Sequence, residues 1–240
     1  MEPARPRHVG VVMDGNRRWA RAAGHRDARV GHRFGADHVE NLLRWCDEWE
    51  IDHLTTYVLS ADNVRKRPRA QVDFLFTLLE TRLPELLLRS QRWSLHCSGQ
   101  LALLPRSTRE ALIAAEEATA GRTAHVTMAI GYDPHEDIVQ GVRTALARYG
   151  PRVDDEMITA SLPGGPLKEI DLVIRTGGDH RLSGFFPWQT SRAEIHVVPT
   201  MWPAFTRKDF DAAMRFYAER RARHAALRRQ PNRSRGKMER

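Results

Sequence analysis

The feature that most constrains this chain is the regular alternation of short apolar runs with longer amphipathic segments. Six runs of strand length are rich in Val, Ile and Leu, and they cover residues 9–13, 54–60, 94–98, 126–131, 172–175 and 195–198. Patterns with helical spacing cover residues 36–49, 72–88, 108–119, 137–149 and 208–226. Continuous apolar strands are typical of sheets covered on both faces. We therefore predict one α/β domain with a mostly parallel six-stranded sheet flanked by helices.

Polar side chains follow three of these predicted strands at the point where each strand ends. The first strand is followed by Asp14, Gly15, Asn16, Arg17 and Arg18, the second by Ser60, Asn63, Arg65 and Arg67, and the fifth by Arg175, Arg181 and Ser183. Ligands of open α/β sheets bind beyond the carboxyl ends of the strands. Arginines and helix-start amides bind oligophosphates, and a carboxylate among them suits a bridging magnesium ion.

Each of these features also has a purely structural interpretation. Asp14-Gly15 is a common turn, Ser60 and Asn63 are typical helix caps, and a single histidine such as His32 is more often a surface or core residue. Their joint occurrence at successive strand ends favours a binding site. The sequence has neither GxxxxGK[ST] nor a GxGxxG after the first strand, so a P-loop nucleotidase and a dinucleotide-binding enzyme are disfavoured.

The chain is basic, with a formal net charge of +8 and a sequence pI of about 10.1. Such a balance suits nucleic acid, an anionic membrane surface or phosphorylated small molecules. Much of the excess lies at the C-terminus, so we divide the chain into a folded domain at 1–227 and a basic, disordered tail at 228–240. No RNA-binding or zinc-finger signature is present, so we expect no nucleic-acid partner. The tail predicts a transient contact with anionic lipid.

The apolar runs and the cysteines of the sequence indicate where in the cell the protein is expected to reside. No apolar run approaches the roughly 18 to 20 residues of a membrane span, and no signal peptide is evident, so we expect a cytoplasmic protein. Cys46 and Cys97 are far apart and show no metal-binding spacing. We interpret both as reduced thiols.

Four segments resemble the cis-prenyltransferase family, which includes undecaprenyl diphosphate synthase and the short-chain Z-isoprenyl diphosphate synthases. These segments are DGNRRWA at 14–20, GHRFGA at 31–36, YVLSADN at 57–63 and DLVIRTGGDHRLSGFFPWQTSRAE at 171–194. The resemblance implies an enzyme that joins isopentenyl diphosphate to an allylic diphosphate and releases diphosphate. It also implies a requirement for Mg²⁺, an apolar tunnel for the growing chain and a homodimer.

The resemblance also implies roles for individual residues. Asp14 and Glu194 match the metal-binding acids, and Asn16, Ser60 and Asn63 match residues at the reacting end, with both asparagines implicated in removing a proton from isopentenyl diphosphate. The allylic diphosphate is expected to contact Gly15, Arg17, Arg18, Trp19 and His32. Arg26 and Arg29 are alternatives for one further arginine, as are Arg65 and Arg67 for another. Arg175, Arg181 and Ser183 match the cradle of isopentenyl diphosphate, and Arg223 matches an arginine that reaches the partner's site.

Three departures from the family pattern leave alternatives open. Asp133-Pro134-His135 replaces a usual Gly-Gly-Arg, so this turn must differ in shape. Arg223-His224-Ala225 lacks the family glycine. Val58 replaces an alanine at the tunnel floor, which predicts a short product. The alternative functions are the coupling of two allylic diphosphates into a branched or cyclised terpenoid diphosphate, or a noncatalytic subunit.

Overall fold

The computed structural model describes residues 4–229, and its centre is one six-stranded sheet. The strands are β1 (His8–Val12), β2 (His53–Ser60), β3 (Trp93–Ser98), β4 (Ala124–Tyr132), β5 (Leu172–Arg175) and β6 (Glu194–Val197). Their order is β3-β4-β2-β1-β5-β6, and every neighbouring pair is parallel. The predicted α/β domain is confirmed, and the mostly parallel sheet is fully parallel.

Eight α-helices lie between and after the strands in the described part of the chain. They are α1 (Asn16–Ala22), α2 (Arg29–Glu48), α3 (Ala61–Lys66), α4 (Arg69–Arg89), α5 (Arg106–Thr119), α6 (Pro134–Tyr149), α7 (Asp155–Ser161) and α8 (Arg207–Arg229). The prediction began α2 at residue 36, but the helix begins at Arg29. Pro84 lies inside α4, which continues past it to Arg89.

Alternating side chains divide the core between the two faces of the sheet. Val9 and Val11 of β1 point to the larger core, which α2, α4, α5 and α8 cover. Val12 points to a smaller aromatic core that contains Tyr132, Phe185 and Phe186 and lies on the other face. Both faces are therefore covered, as the continuous apolar runs predicted.

The strand order brings the three polar strand ends together. β1 lies between β2 and β5, and the register pairs Val11 with Thr56 and Val12 with Arg175. The loops that follow these three strands consequently leave the sheet side by side. This arrangement confirms that the polar side chains predicted from separate segments share one edge of the sheet.

Two further expectations can be compared with the structure. No helix among residues 4–229 is long and apolar enough to cross a membrane. Cys46 is buried and Cys97 is partly buried, and both are free thiols whose pKa is raised by burial. Most of the predicted basic tail, residues 230–240, lies outside the described residues.

Candidate active site

A cavity of about 1060 Å³ opens at the carboxyl ends of β1, β2 and β5. One end is lined by charged and amide side chains from the loops after these strands, and the other end by apolar side chains of α2 and α4. We call them the polar end and the apolar end. A cavity of this size accommodates a ligand with both a charged head and an apolar tail.

The loop after β1 supplies an acid and an amide to the polar end. Gly15 lies between them with a φ of +103°, a left-handed conformation that favours glycine. The backbone N–H of Gly15 donates to Asp14 Oδ1 at 2.6 Å. Asn16 begins α1 and donates from Nδ2 to the carbonyl of Met13 at 3.0 Å, which leaves its buried Oδ1 without a hydrogen-bond partner. That oxygen is available to a ligand.

Close packing of α2 fixes the position of Asn16. A Cβ atom at Gly35 would overlap Asn16 Oδ1 and would lie 2.8 Å from Trp202 Cδ1. Trp202 Nε1 donates to the carbonyl of Gly35 at 2.8 Å, so helix and ring are held together. The requirement for glycine at position 35 therefore comes from the close approach of α2 to the site.

The Arg175 guanidinium is the centre of the polar end. It is 3% exposed, and its Nη2 donates to Asp14 Oδ2 and to Asp179 Oδ2, each at 3.0 Å. Its Nη1 donates to Ser183 Oγ at 2.9 Å and to the carbonyl of Arg181. The loop at 176–183 thus folds around one guanidinium, and only Arg175 Nε lacks a partner.

The loop after β2 lies opposite this guanidinium cluster. Ser60 caps α3, and its Oγ accepts a hydrogen bond from the backbone N–H of Asn63 at 3.1 Å. Both residues also line the cavity. Ser60 is therefore a helix cap, as its structural interpretation predicted, and this cap positions the Asn63 side chain at the rim.

Positive charge is concentrated at the cavity mouth. Arg17, Arg67 and His32 all line it. Burial, with the charge of Arg17, lowers the pKa of Arg67. Burial lowers the pKa of His32 from 6.5 to about 4, and the charges of Arg67 and Arg17 add to the effect. His32 is neutral at pH 7 with no partner for its Nε2, and such a site favours an anion.

The structure brings most of the predicted residues together. The predicted residues that line the cavity are Asp14, Gly15, Asn16, Arg17, Arg18, His32, Val58, Ser60, Asn63, Arg67, Arg175, Arg181 and Ser183. Of the two alternatives after β2, Arg67 lines the cavity, whereas Arg65 donates to Gln100 at 3.3 Å.

Other predicted residues lie away from the cavity in this chain. Trp19 packs on Phe34, with ring centroids 5.0 Å apart. Arg29 forms an ion pair with Asp27 at 2.8 Å. Arg26 and Arg223 are exposed and do not line the cavity.

Glu194, the second predicted metal ligand, does not lie near Asp14 within one chain. It begins β6 opposite Leu172, at the amino end of the sheet, whereas Asp14 follows the carboxyl end of β1. The Glu194 carboxylate is 14% exposed and accepts from Arg220 at 2.9 Å. His224 lies 3.6 Å from its other oxygen. A shared metal site with Asp14 therefore requires a second chain.

The turn that departs from the family pattern forms part of the rim. Asp133 caps α6 by accepting from the backbone N–H groups of His135 and Glu136 at 3.0 and 3.1 Å. Pro134 occupies the first helical position, where a missing N–H costs nothing. A capping carboxylate thus occupies the helix start at this turn.

Several charged residues of the cavity were not predicted as site residues, and Asp179 and Arg82 are two of them. Asp179 lies in the segment at 171–194 that resembles the family, but no role was predicted for it, although its carboxylate binds Arg175. Arg82 lines the apolar end and lies within a largely apolar helix pattern. The signal for Asp179 was its position four residues after a strand-end arginine. The signal for Arg82 was a charge on the apolar face of α4.

Comparison with known proteins agrees with this geometry. The model of the family described as "Putative undecaprenyl diphosphate synthase" matches residues 12–225. Isoprenyl transferase 2 of Streptomyces coelicolor is 39% identical over 232 residues, which cover 92% of this chain and 90% of that protein. The short-chain Z-isoprenyl diphosphate synthase of Mycobacterium leprae is 37% identical over 230 residues, covering 91% and 87%.

A solved structure extends the likeness to three dimensions. Lavandulyl diphosphate synthase from Lavandula x intermedia, in complex with dimethylallyl diphosphate, superposes with a TM-score of 0.80 at 28% identity. The match covers 89% of this chain and 95% of that one. Fold, cavity and sequence together define the class of this protein, which is a prenyltransferase. The chain belongs to the undecaprenyl diphosphate synthase family, and it is an enzyme of isoprenoid biosynthesis.

Proposed function

We propose that this enzyme condenses isopentenyl diphosphate with an allylic prenyl diphosphate to form a short Z-prenyl diphosphate and free diphosphate. The observation that carries the proposal is the juxtaposition in one cavity of an anion-binding polar end and an apolar end. The allylic C–O bond breaks, and C4 of isopentenyl diphosphate forms a bond to the freed allylic carbon. A proton then leaves C2 as the new double bond forms between C2 and C3.

The cations at the mouth stabilise the charge of the leaving group. Diphosphate gains negative charge as the C–O bond breaks, and preorganised guanidinium groups oppose that charge without reorganising. Arg17, Arg18 and Arg67 supply these groups, and neutral His32 offers a hydrogen bond from its ring. Arg175, Arg181 and Ser183 form the second cradle, for isopentenyl diphosphate.

The asparagines and Ser60 lie where the proton must leave. Asn16 Oδ1 is buried without a partner, so it can accept a hydrogen bond from a bound substrate. Asn63 is held at the same rim by the Ser60 cap. Together these residues orient the C2 hydrogen toward a diphosphate oxygen, which accepts the proton.

The donor set fits Mg²⁺ bound jointly by protein and substrate. No group of three or more His, Cys, Asp or Glu residues within residues 4–229 could hold a metal ion. Magnesium, however, is commonly held by one or two carboxylates together with substrate phosphates. Asp14 would hold it here, and the ion would neutralise charge on the departing diphosphate.

We further propose a homodimer in which Glu194 and Arg223 serve the partner's site. Both residues lie away from the cavity of their own chain. Mixing an Asp14→Ala chain with a Glu194→Gln chain should then restore part of the activity that each lacks, because one mixed site regains both carboxylates. Sedimentation of the wild-type chain as a monomer at assay concentration would contradict this arrangement.

The test of the function is a product analysis across primers. Purified protein, Mg²⁺ and isopentenyl diphosphate are incubated with each allylic diphosphate in turn, and products are identified by mass spectrometry. We expect one short Z-prenyl diphosphate, with one diphosphate released for each isopentenyl unit added, in keeping with the name of the Mycobacterium leprae relative. Turnover of dimethylallyl diphosphate alone would instead indicate coupling of two allylic substrates. Absence of turnover with every pair would indicate a noncatalytic subunit.

A further inference from the structure

Helices α2 and α4 run side by side in the same direction along the apolar end. Two contacts between them show this: the guanidinium carbon of Arg29 lies 5.8 Å from the ring centre of Phe74, and Arg82 Nη2 lies 3.2 Å from Asp37 Oδ1. Asp37 lies eight residues after Arg29 on α2, and Arg82 lies eight residues after Phe74 on α4. The two contacts therefore occur in the same order along both helices. At a rise of 1.5 Å per residue, the two contacts are about 12 Å apart along the helices.

Apart from His32 near the mouth, the part of the cavity wall that α2 and α4 supply is apolar except at one place. On α2 the cavity is lined by Gly35, Ala36 and Val39, and on α4 by Leu75, Leu78, Leu79, Leu83 and Leu86. Arg82 is the only charged residue that α4 contributes to the cavity. It lies deep along the helix from the polar end, because α4 begins at Arg69, two residues after Arg67 at the cavity mouth.

Two carboxylates hold the Arg82 guanidinium across the gap between the helices. Its Nη2 contacts Asp37 of α2 at 3.2 Å, and its Nη1 donates to Glu85 of α4 at 3.1 Å. The Arg82 side chain is 44% exposed, so the charged head meets solvent while the stem covers the apolar cavity. The ion pair thus closes the cavity laterally.

We propose that Arg82 and Asp37 form a latch that limits the length of the prenyl product. This inference rests on the proposed function, because it assumes that the apolar end holds the growing chain. A chain that extends past Leu79 meets the guanidinium stem on its way to the part of the cavity lined by Leu83 and Leu86, and an intact ion pair narrows that passage because opening or desolvating it costs free energy. Exposed ion pairs are weak, so the latch shifts a product distribution rather than imposing an absolute limit.

Two variants separate the charge from the shape of the latch. Arg82→Met keeps the unbranched stem and removes the charge, whereas Asp37→Asn keeps the shape and breaks the ion pair. We expect both to raise the ratio of longer to shorter products by several-fold, with Arg82→Met having the larger effect. The double variant Asp37→Arg with Arg82→Asp re-forms an ion pair between the helices and should shift the ratio back toward that of the wild type.

Arg89→Met is the matched control. Arg89 is on the same helix, is 57% exposed and contacts Glu85 at 3.5 Å, but it does not line the cavity. Its product ratio should equal that of the wild type. A second measurement, the affinity for prenyl diphosphates, does not depend on turnover. The affinity should rise with the length of the apolar tail up to a limiting length. We expect this limiting length to be greater in Arg82→Met than in the wild type.

The outcomes distinguish the latch from the proposed function. If the wild type forms a prenyl product and Arg82→Met yields the same lengths as Arg89→Met, the latch is wrong and the function stands. If the wild type forms no prenyl product and binds no prenyl diphosphate, both are wrong. Longer products from Arg82→Met and Asp37→Asn, with restoration by the charge exchange, support the latch.

Discussion

The two ends of the cavity are built on different physical principles. At the polar end, every Nη hydrogen of Arg175 has a protein acceptor, and the acceptors come from the loops after β1 and after β5. At the apolar end, leucines of α4 face small residues of α2, and one exposed ion pair closes the side. The polar end is therefore fixed by directional bonds, whereas the apolar end is fixed only by packing.

This difference separates chemistry from product length. Directional bonds place charge to within tenths of an ångström, which transition-state stabilisation requires. Apolar packing tolerates exchange of one side chain for another of similar volume. We expect substitutions at the polar end to abolish turnover and those at the apolar end to change what is made.

The largest effect is expected from Asp14→Ala. Asp14 is partly exposed at a strand end, so its loss removes the carboxylate for the metal without opening the core. Turnover should fall by roughly a thousandfold or more, as for loss of one preorganised electrostatic group. The melting temperature should change by only a few degrees. Unfolding of this variant at 25 °C would contradict the assignment of Asp14 to the site.

Arg175→Met should damage both turnover and stability. The substitution leaves Asp14 and Asp179 without their shared guanidinium, and the loop at 176–183 loses its centre. We expect turnover to fall by more than a hundredfold and stability by roughly 2–4 kcal/mol, below a fully buried pair because both acids are partly exposed. Urea unfolding measures the second quantity. A variant as stable as the wild type would show that the loop at 176–183 folds without the Arg175 guanidinium.

Leu79→Ala should show the opposite behaviour at the apolar end. Leu79 is buried in the core and also lines the cavity. Its truncation should cost about 2–3 kcal/mol in urea unfolding, while turnover stays within a few-fold and products lengthen. Leu88→Ala is the control, since Leu88 is on the same helix and 58% exposed. Loss of turnover comparable to that of Asp14→Ala would end the distinction between the two ends.

The smallest expected effect concerns acid. His8, His53, His125 and His96 lie side by side across four strands, with His96 Nε2 3.0 Å from His125 Nδ1. Burial lowers the pKa of His8 to about 3 and of His96 to about 4. Below pH 6.5 the unfolded chain binds protons that the folded chain does not, so stability should fall as the pH drops from 6.5 to 4.

His96→Gln tests this acid dependence. The variant keeps a hydrogen-bonding group beside His125 but cannot take up the proton, so its loss of stability between pH 6.5 and 4 should be smaller than in the wild type. Turnover at pH 7.5 should be unchanged, because His96 does not line the cavity. An identical pH dependence of the melting temperature in both proteins would refute the contribution of His96.

The polar end could be predicted because its residues follow the strands directly in sequence. Asp14, Ser60 and Arg175 each lie at or just beyond the end of a strand, and a parallel sheet places such ends at one edge. Glu194 shows the limit of that reasoning. It begins β6, so the same rule places it at the opposite edge, and the family resemblance alone grouped it with Asp14.

The apolar end could not be predicted, since its lining depends on how two helices pack. Arg82 and Asp37 are 45 positions apart, and nothing local in either segment indicates that they meet. The early start of α2 was missed because Gly31 and Gly35 lower helix propensity. Their role becomes evident only once α2 is seen packed against Asn16.

The most direct measurement is a crystal structure of the enzyme with Mg²⁺, isopentenyl diphosphate and a nonreactive thio analogue of an allylic diphosphate. We predict both diphosphates at the polar end, one beside Asp14 and Arg17 and one beside Arg175 and Ser183, with the allylic tail between α2 and α4. Ligands bound elsewhere, with the ends of β1 and β5 empty, would contradict this prediction.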